Sequence, residues 1–337
     1  MVGRKKILIT GASGFIGSHL IDSALDHGYE VFAGIRQSSS KEFLAREGIR
    51  FLEMDLSSEK KLNDLLKNQN KKNVRFDVVI HNAGTTVEQR KGDFDLVNFD
   101  YTRNLVRSLE NSDSVPSRFI VISSLAVYGP GDSLSFKPIL PGDVFAPLSA
   151  YGRSKVKVEE FLQRDSSLAF QIVQPAAVYG PRDRDFLSYF KMVKRHFEPM
   201  IGLNEQKLSM VYVKDLADGV LRLVSQPVKN RKYIVSDNSA YDKNELGRII
   251  REYLKIKTVR LKVPVSLLLP VSYLLEKCYA IAGKRPYLNR EKIMEISRSN
   301  WICDSSDFWD DIGSSPAVDL SNGLRQTADW YREKGWL

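Results

Sequence analysis

Cysteine is almost missing from this chain: among 337 residues only Cys278 and Cys303 occur, in no metal-ligand spacing. That excludes a disulfide scaffold, argues against structural zinc, and suits a reducing compartment. Long apolar runs are missing too. No stretch approaches the ~20 residues that a membrane-spanning helix requires. The opening KKILIT is basic then apolar, but a glycine turn cuts it too short for a signal peptide. The expectation is a cytoplasmic protein with no transmembrane segment. A chain of this length buries a large core unaided and has room for one large domain with a smaller partner.

Charge is not balanced: 50 Lys and Arg face 41 Asp and Glu, a formal net of +9. The basic residues are spread along the chain rather than clustered with aromatics, which argues against a nucleic-acid partner. A soluble enzyme with an anionic cofactor accounts for the excess.

What is present begins at the first strand-like run. KKILIT passes into Gly11-Ala12-Ser13-Gly14-Phe15-Ile16-Gly17 and then into an apolar-periodic segment. Strand, glycine turn and helix in this order make the diphosphate cradle of a Rossmann unit. Phosphates there sit on free N–H groups at the positive end of the helix. Further apolar strands are expected to end near Arg36, Asp55, Asn82, Ser124 and Gln174, with helical patterns between. Alternation of this kind predicts an α/β fold: a doubly wound parallel sheet with helices on both faces.

A second motif lies downstream. Tyr151-Gly152-Arg153-Ser154-Lys155 places a phenol and an ammonium four residues apart, on one helical face. Ser123 and Ser124 close the apolar strand before it. With TGASGFIGSHL, Asp55-Leu56, HNAG at 81–84, SSLAVYG, QPAAVYGP and VYVKDLADGVL, the chain resembles the extended short-chain dehydrogenase/reductase superfamily. Within it, the epimerase/dehydratase family and its dihydroflavonol-reductase-like and 3β-hydroxysteroid-dehydrogenase-like members stand nearest.

The resemblance implies roles. Tyr151 exchanges a proton with the substrate oxygen, Lys155 lowers the phenol pKa and binds the nicotinamide ribose, and Ser124 holds the substrate carbonyl. Ser123 is the second choice for that last role, since Ser124 stands four before Tyr128. Asn98 braces the site. Gly11, Ser13, Gly14, Phe15, Ile16, Gly17, Asp55, Leu56, Ala83, Gly84, Pro175 and Val178 line the cofactor, together with Tyr151 and Lys155. No metal is expected. Residues 1–180 make the dinucleotide-binding domain, to which 206–236 return. Residues 181–205 and 237–337 make a mostly helical substrate cap.

Cofactor choice turns on the end of the second strand. An acid there binds a ribose 2′-hydroxyl, whereas an arginine accommodates a 2′-phosphate. The chain has Arg36 and no acid, so NADP is expected, with NAD as the alternative. Two departures bear on the substrate. Nucleotide-sugar members carry Asn where Ala177 stands and often Arg where Leu208 stands; Arg182, Arg184 and Lys207 are candidate replacements. The expected activity is hydride transfer between NADP(H) and a carbonyl or secondary alcohol. The alternative is a nucleotide-sugar epimerase or dehydratase that recycles its cofactor. A homodimer is expected through the helix bearing Tyr151 and the helix from Thr102 to Glu110. Its apolar stripes are Val156, Val158, Phe161 and Leu162 with Leu105, Val106 and Leu109, which serve core, interface or both. The apolar segment from Val263 to Pro286 reads as core and dimer packing, with an apolar substrate wall or peripheral membrane contact as the lesser reading.

Overall fold

The computed structural model describes residues 4–113, 115–227, 230–281, 286 and 289–337. Seven parallel strands form its central sheet: β1 (Lys6–Thr10), β2 (Glu30–Ile35), β3 (Ile49–Glu53), β4 (Val78–His81), β5 (Arg118–Ile122), β6 (Phe170–Pro175) and β7 (Arg231–Val235). Their order across the sheet is β7-β6-β5-β4-β1-β2-β3. The chain reverses its direction of travel between β1 and β4, and a crevice opens there at the carboxyl ends of the strands.

Burial on both faces explains the composition of the strands. β1 reads KILIT and β4 reads VVIH, with scarcely a polar alternation, because parallel strands are covered above and below. One face packs on α1 (Phe15–Asp26) and α6 (Val213–Val224), the other on α2 (Glu59–Lys71), α3 (Tyr101–Glu110) and α4 (Ala150–Asp165). Six expected strand ends fall within two residues of those observed. The seventh strand, β7, was not anticipated. The strand expected at LSMVY does form, at Met210–Tyr212, but it pairs with Ala177–Tyr179 outside the central sheet.

The remaining helices are α5 (Asp185–Lys194), α7 (Lys243–Leu254), α8 (Val265–Ile281), α9 (Arg290–Ile296), α10 (Ser306–Asp311) and α11 (Leu320–Glu333). Parts of α5, α7 and α11 share a second core with Tyr179, Tyr212 and Tyr331. By contrast Phe308 and Trp309 of α10 pack into the core beneath the central sheet. Residues 282–285 of the anticipated apolar segment lie outside the described residues.

The stripes considered for dimerisation are mostly spoken for. Leu105, Val106, Leu109, Val158, Phe161 and Leu162 are buried in the core between α3, α4 and the sheet of a single chain. Val156 alone among the seven is half-buried.

Gly17 is where α1 touches the turn it leaves. A Cβ built there would stand 2.1 Å from the Gly11 carbonyl oxygen, backbone that cannot swing aside. Gly17→Ala should therefore destabilise the fold by about 2–4 kcal/mol, read as a lower urea midpoint. An unchanged midpoint would mean that the turn relaxes freely.

Candidate active site at the carboxyl ends of the strands

α4 enters the site on a close approach. Ser149 caps it, its Oγ accepting the Gly152 N–H at 3.2 Å. Gly152 itself has no room for a side chain: a Cβ would lie 2.7 Å from the Ala126 carbonyl oxygen. This contact presses the first turn of α4 onto the short 3-10 turn Leu125–Val127 that follows β5. Ser124 caps that turn, its Oγ accepting the Ala126 N–H at 3.2 Å, and it reaches the Tyr151 hydroxyl as well. Phe94 packs edge-on against the Tyr151 ring, with centroids 5.9 Å apart.

The phenol is not lowered by its neighbours. Burial pushes Tyr151 up to about 12; the Ser124 hydrogen bond opposes this, and the charge of Glu295 adds to it. The expected lowering rests on Lys155 together with a bound nicotinamide. The Lys155 ammonium is turned to the Ile122 carbonyl, at 2.9 Å, and burial brings it down to about 8.

Asn98 is buried in a wide (π) helical turn, Asp95–Asp100, that leads into α3. Its Oδ1 accepts the Thr85 N–H at 2.8 Å, and its Nδ2 donates to the Thr85 carbonyl and to Ser154 Oγ. Asn98 thus joins the loop after β4 to the α4 helix by side-chain bonds of its own. Behind it runs a chain of donors with one consistent polarity. Thr102 gives its proton to the Asn98 carbonyl at 2.5 Å, so His81 Nε2 must donate to Thr102 Oγ1 at 2.8 Å. His81 Nδ1 is then the acceptor for Thr10 Oγ1, at 2.7 Å, and Thr10 in turn accepts the Ala83 N–H. Burial first, and the charge of Lys155 second, hold His81 neutral, down at about 3.

Ser123 faces the other way from Ser124. It donates to Glu159 Oε1 at 2.5 Å, one turn beyond Lys155 on α4, and Gln174 Nε2 donates to both oxygens of the same carboxyl. Glu159 is wholly buried, and burial pushes it up to about 7 against these bonds and the nearby charges of Lys232 and Lys155. Neither Glu159 nor Gln174 was anticipated.

The other expected residues take these places. Gly11, Ser13, Gly14, Phe15, Ile16 and Gly17 form the turn after β1 and the start of α1. Gly14 offers α1 no side-chain cap and its first turn has no acid, so the positive end of the helix is left for an anion. Ala83 and Gly84 follow β4, and a Cβ on Gly84 would face Asn98 Oδ1 at 2.9 Å and Lys155 Nζ at 3.6 Å. Asp55 is exposed and held down at about 2, by Lys61 first and Ser57 second. Leu56 follows it, and Pro175 and Val178 lie at and beyond the end of β6. Arg36 is exposed just past β2, where its N–H donates to Ser39 Oγ at 3.1 Å.

The three candidate diphosphate cations are engaged elsewhere. Arg182 pairs with Asp22 at 2.7 Å, Arg184 lies over Trp336, and Lys207 pairs with Glu205 at 3.2 Å. α8 and α9, with Arg90 and Lys91, instead line an open cavity of about 1050 Å³. Glu291 on its wall accepts the Ala150 N–H at 2.7 Å and Arg153 at 2.8 Å, which sets the cavity against the mouth of α4.

A glycine turn opening onto an uncapped helix, and Ser124, Tyr151 and Lys155 gathered at the strand ends of a seven-stranded parallel sheet, define a nicotinamide-dependent enzyme of the extended short-chain dehydrogenase/reductase type. The chain belongs to the NAD dependent epimerase/dehydratase family, whose model matches residues 7–236. It is 28% identical to a UDP-glucose 4-epimerase of Vibrio cholerae, over 97% of this chain and 95% of that one. It is 26% identical to a ceramide reductase of Caulobacter vibrioides, over 99% of this chain and 96% of that one. Its fold matches the UDP-glucose 4-epimerase of Thermotoga maritima, solved with UDP-glucose, with a TM-score of 0.77 at 21% identity over 98% and 99% of the two chains.

The Glu159 carboxyl carries a stability prediction. Its pKa rises on folding from an ordinary 4.5 to about 7, so the folded form holds the proton more tightly. The corresponding stability is fully present below pH 4.5 and is lost as the pH climbs through 7. Relative to Glu159→Gln, the wild type should lose about 1–3 kcal/mol between pH 4.5 and 7.5, measured by urea unfolding at both. A gain instead would show an ionised Glu159 stabilised by Lys155.

Proposed function

We propose that this protein reduces the carbonyl of an apolar, lipid-like substrate with NADPH, or oxidises the matching secondary alcohol. The observation that carries the reading is the open cavity walled by α8 and joined by Glu291 to the first turn of α4, in a chain whose three candidate diphosphate cations each have another partner. The ceramide reductase among its relatives agrees with that substrate class.

The uncapped start of α1 would hold the cofactor diphosphate, Arg36 the 2′-phosphate, and Lys155 the nicotinamide ribose. The bound cofactor supplies the hydride. Ser124 donates a hydrogen bond to the substrate oxygen and fixes its position. Tyr151, protonated at neutral pH because burial holds its pKa near 12, then passes its proton to that oxygen as the carbon gains hydride. Asn98 keeps the loop after β4 and the Ser154 turn of α4 in register, so that Lys155 stays beneath the reacting atoms.

The epimerase alternative is kept by the UDP-glucose 4-epimerase relative, and an assay separates the two. NADPH consumed in step with long-chain ketones supports the reductase. Interconversion of UDP-sugars without net cofactor turnover would overturn it.

Tyr151→Phe removes the proton donor and should slow turnover by about 10²- to 10⁴-fold, with cofactor affinity changed by no more than a few-fold. Near-normal rates in that variant would exclude Tyr151 as the acid.

Arg36 is the source of cofactor preference. A charge-assisted hydrogen bond is worth about 1.5–3 kcal/mol, so calorimetry should find NADPH bound at least about tenfold more tightly than NADH. Arg36→Ala should erase that margin and leave NADH affinity in place. Equal affinities in the wild type would contradict the assignment.

A further inference from the structure

α8 has two apolar faces, and only one of them has a use so far. Ser266, Leu269, Pro270, Tyr273, Lys277 and Ala280 line the cavity. The opposite stripe, Leu267, Val271, Leu274 and Leu275, follows i, i+4, i+7, i+8 spacing and faces outward. Leu267 and Leu274 each leave 63% of their surface in solvent, Val271 54% and Leu275 40%. Singly exposed leucines are ordinary, but a contiguous stripe of four on one helix marks an interaction surface.

Charge says what covers it. At the cavity mouth stand Arg90, Lys91 and Lys277, all exposed. Among the described residues no ion pair engages any of these three. The two acids of the cavity wall are already used: Glu276 by Arg290 at 2.9 Å, and Glu291 by Arg153. A second copy of the chain would bring like charges together across this face. An anionic lipid surface is complementary to it. The helix is not long and apolar enough to cross a membrane, and none among the described residues is. An apolar stripe about 12 Å long, with Lys277, Tyr273 and Tyr279 on the same helix, suits a helix lying in the plane of the interface.

We propose that α8 docks on an anionic bilayer, its outer stripe immersed in the lipid while its inner face walls the cavity. A lipid substrate then passes from the bilayer to the cavity around a single helix. The docking itself does not depend on the reading of the substrate, because it is measured without turnover.

The test is co-sedimentation of the full chain with vesicles of phosphatidylcholine containing phosphatidylglycerol, against phosphatidylcholine alone. Binding is expected to the anionic vesicles and to weaken with salt. The double variant Leu267→Gln with Leu274→Gln should bind about tenfold or more weakly, as expected for removing two leucines from an apolar phase. Lys91→Glu, which leaves the stripe intact, should weaken binding to anionic vesicles only. Both should keep the wild-type melting temperature and NADPH affinity, since the altered side chains are exposed. Failure to bind anionic vesicles, or binding indifferent to both variants, overturns the proposal. So does a wild-type dimer in light scattering that the double variant converts to a monomer, which would make a second copy the occupant. Retained vesicle binding with no turnover of long-chain ketones would strike the substrate reading and leave the docking standing.

Discussion

The site depends on one buried carboxyl. Glu159 lies inside the protein, below α4, and takes hydrogen bonds from Ser123 at the end of β5 and from Gln174 on β6. A helix that merely packs on a sheet can slide or rotate by a fraction of an ångström. A helix cross-linked to two adjacent strands through one side chain cannot do so without leaving polar atoms unpaired, at about 1–3 kcal/mol each. Lys155 is one turn above Glu159 and Tyr151 two turns above. The register that holds Glu159 therefore sets both of them against Ser124, whose neighbour is the very serine that Glu159 binds. Gln174 extends the tie, since its Oε1 accepts the Tyr128 hydroxyl at 3.0 Å.

The opposite wall is built on the same principle with neutral groups. From Ala83 through Thr10, His81 and Thr102 to Asn98, each donor finds one acceptor in sequence. A buried histidine costs little when it is neutral and both ring nitrogens are satisfied. Lys155 adds a reason for neutrality, because a second cation nearby would be repelled. The burden of positive charge at the site thus rests on one group, the Lys155 ammonium, itself brought down to about 8.

Much of this was legible in the chain. The apolar runs of the first six strands could be read because parallel strands covered on both faces carry few polar residues. β7, RKYIV, could not: two of its five residues are cationic, and it lies at the sheet edge. The Tyr151–Lys155 spacing was readable because both residues belong to one helix. Glu159 was not, since in VKVEEFLQRD it looks like one of a solvated pair with Glu160; only contact with β5 and β6 distinguishes them. The surroundings of the phenol were hidden for a related reason. Motif reasoning sees Lys155 next to Tyr151 but not that the Ile122 carbonyl claims the ammonium, nor that Glu295 arrives from far downstream. Apolar stripes on α3 and α4 were likewise readable as stripes, but whether they face a core or a partner is decided by the sheet.

The roof of the site is held quite differently from its floor. α9 meets α4 through Glu291, which binds Arg153 and the Ala150 N–H, and meets α8 through the Arg290–Glu276 pair. Arg153 and Arg290 are about half exposed, and such pairs contribute roughly 0.2–1 kcal/mol each. Breaking both costs less than stranding the Glu159 carboxyl alone. These two pairs are therefore weaker ties than the Glu159 network, and α9 depends also on its buried Ile293. The proposed proton transfer needs a phenol fixed to within a fraction of an ångström, and the stronger ties are the ones that hold α4 and so Tyr151. α8, tied to α9 through the Arg290–Glu276 pair, carries apolar residues on the cavity wall and on its outer side alike.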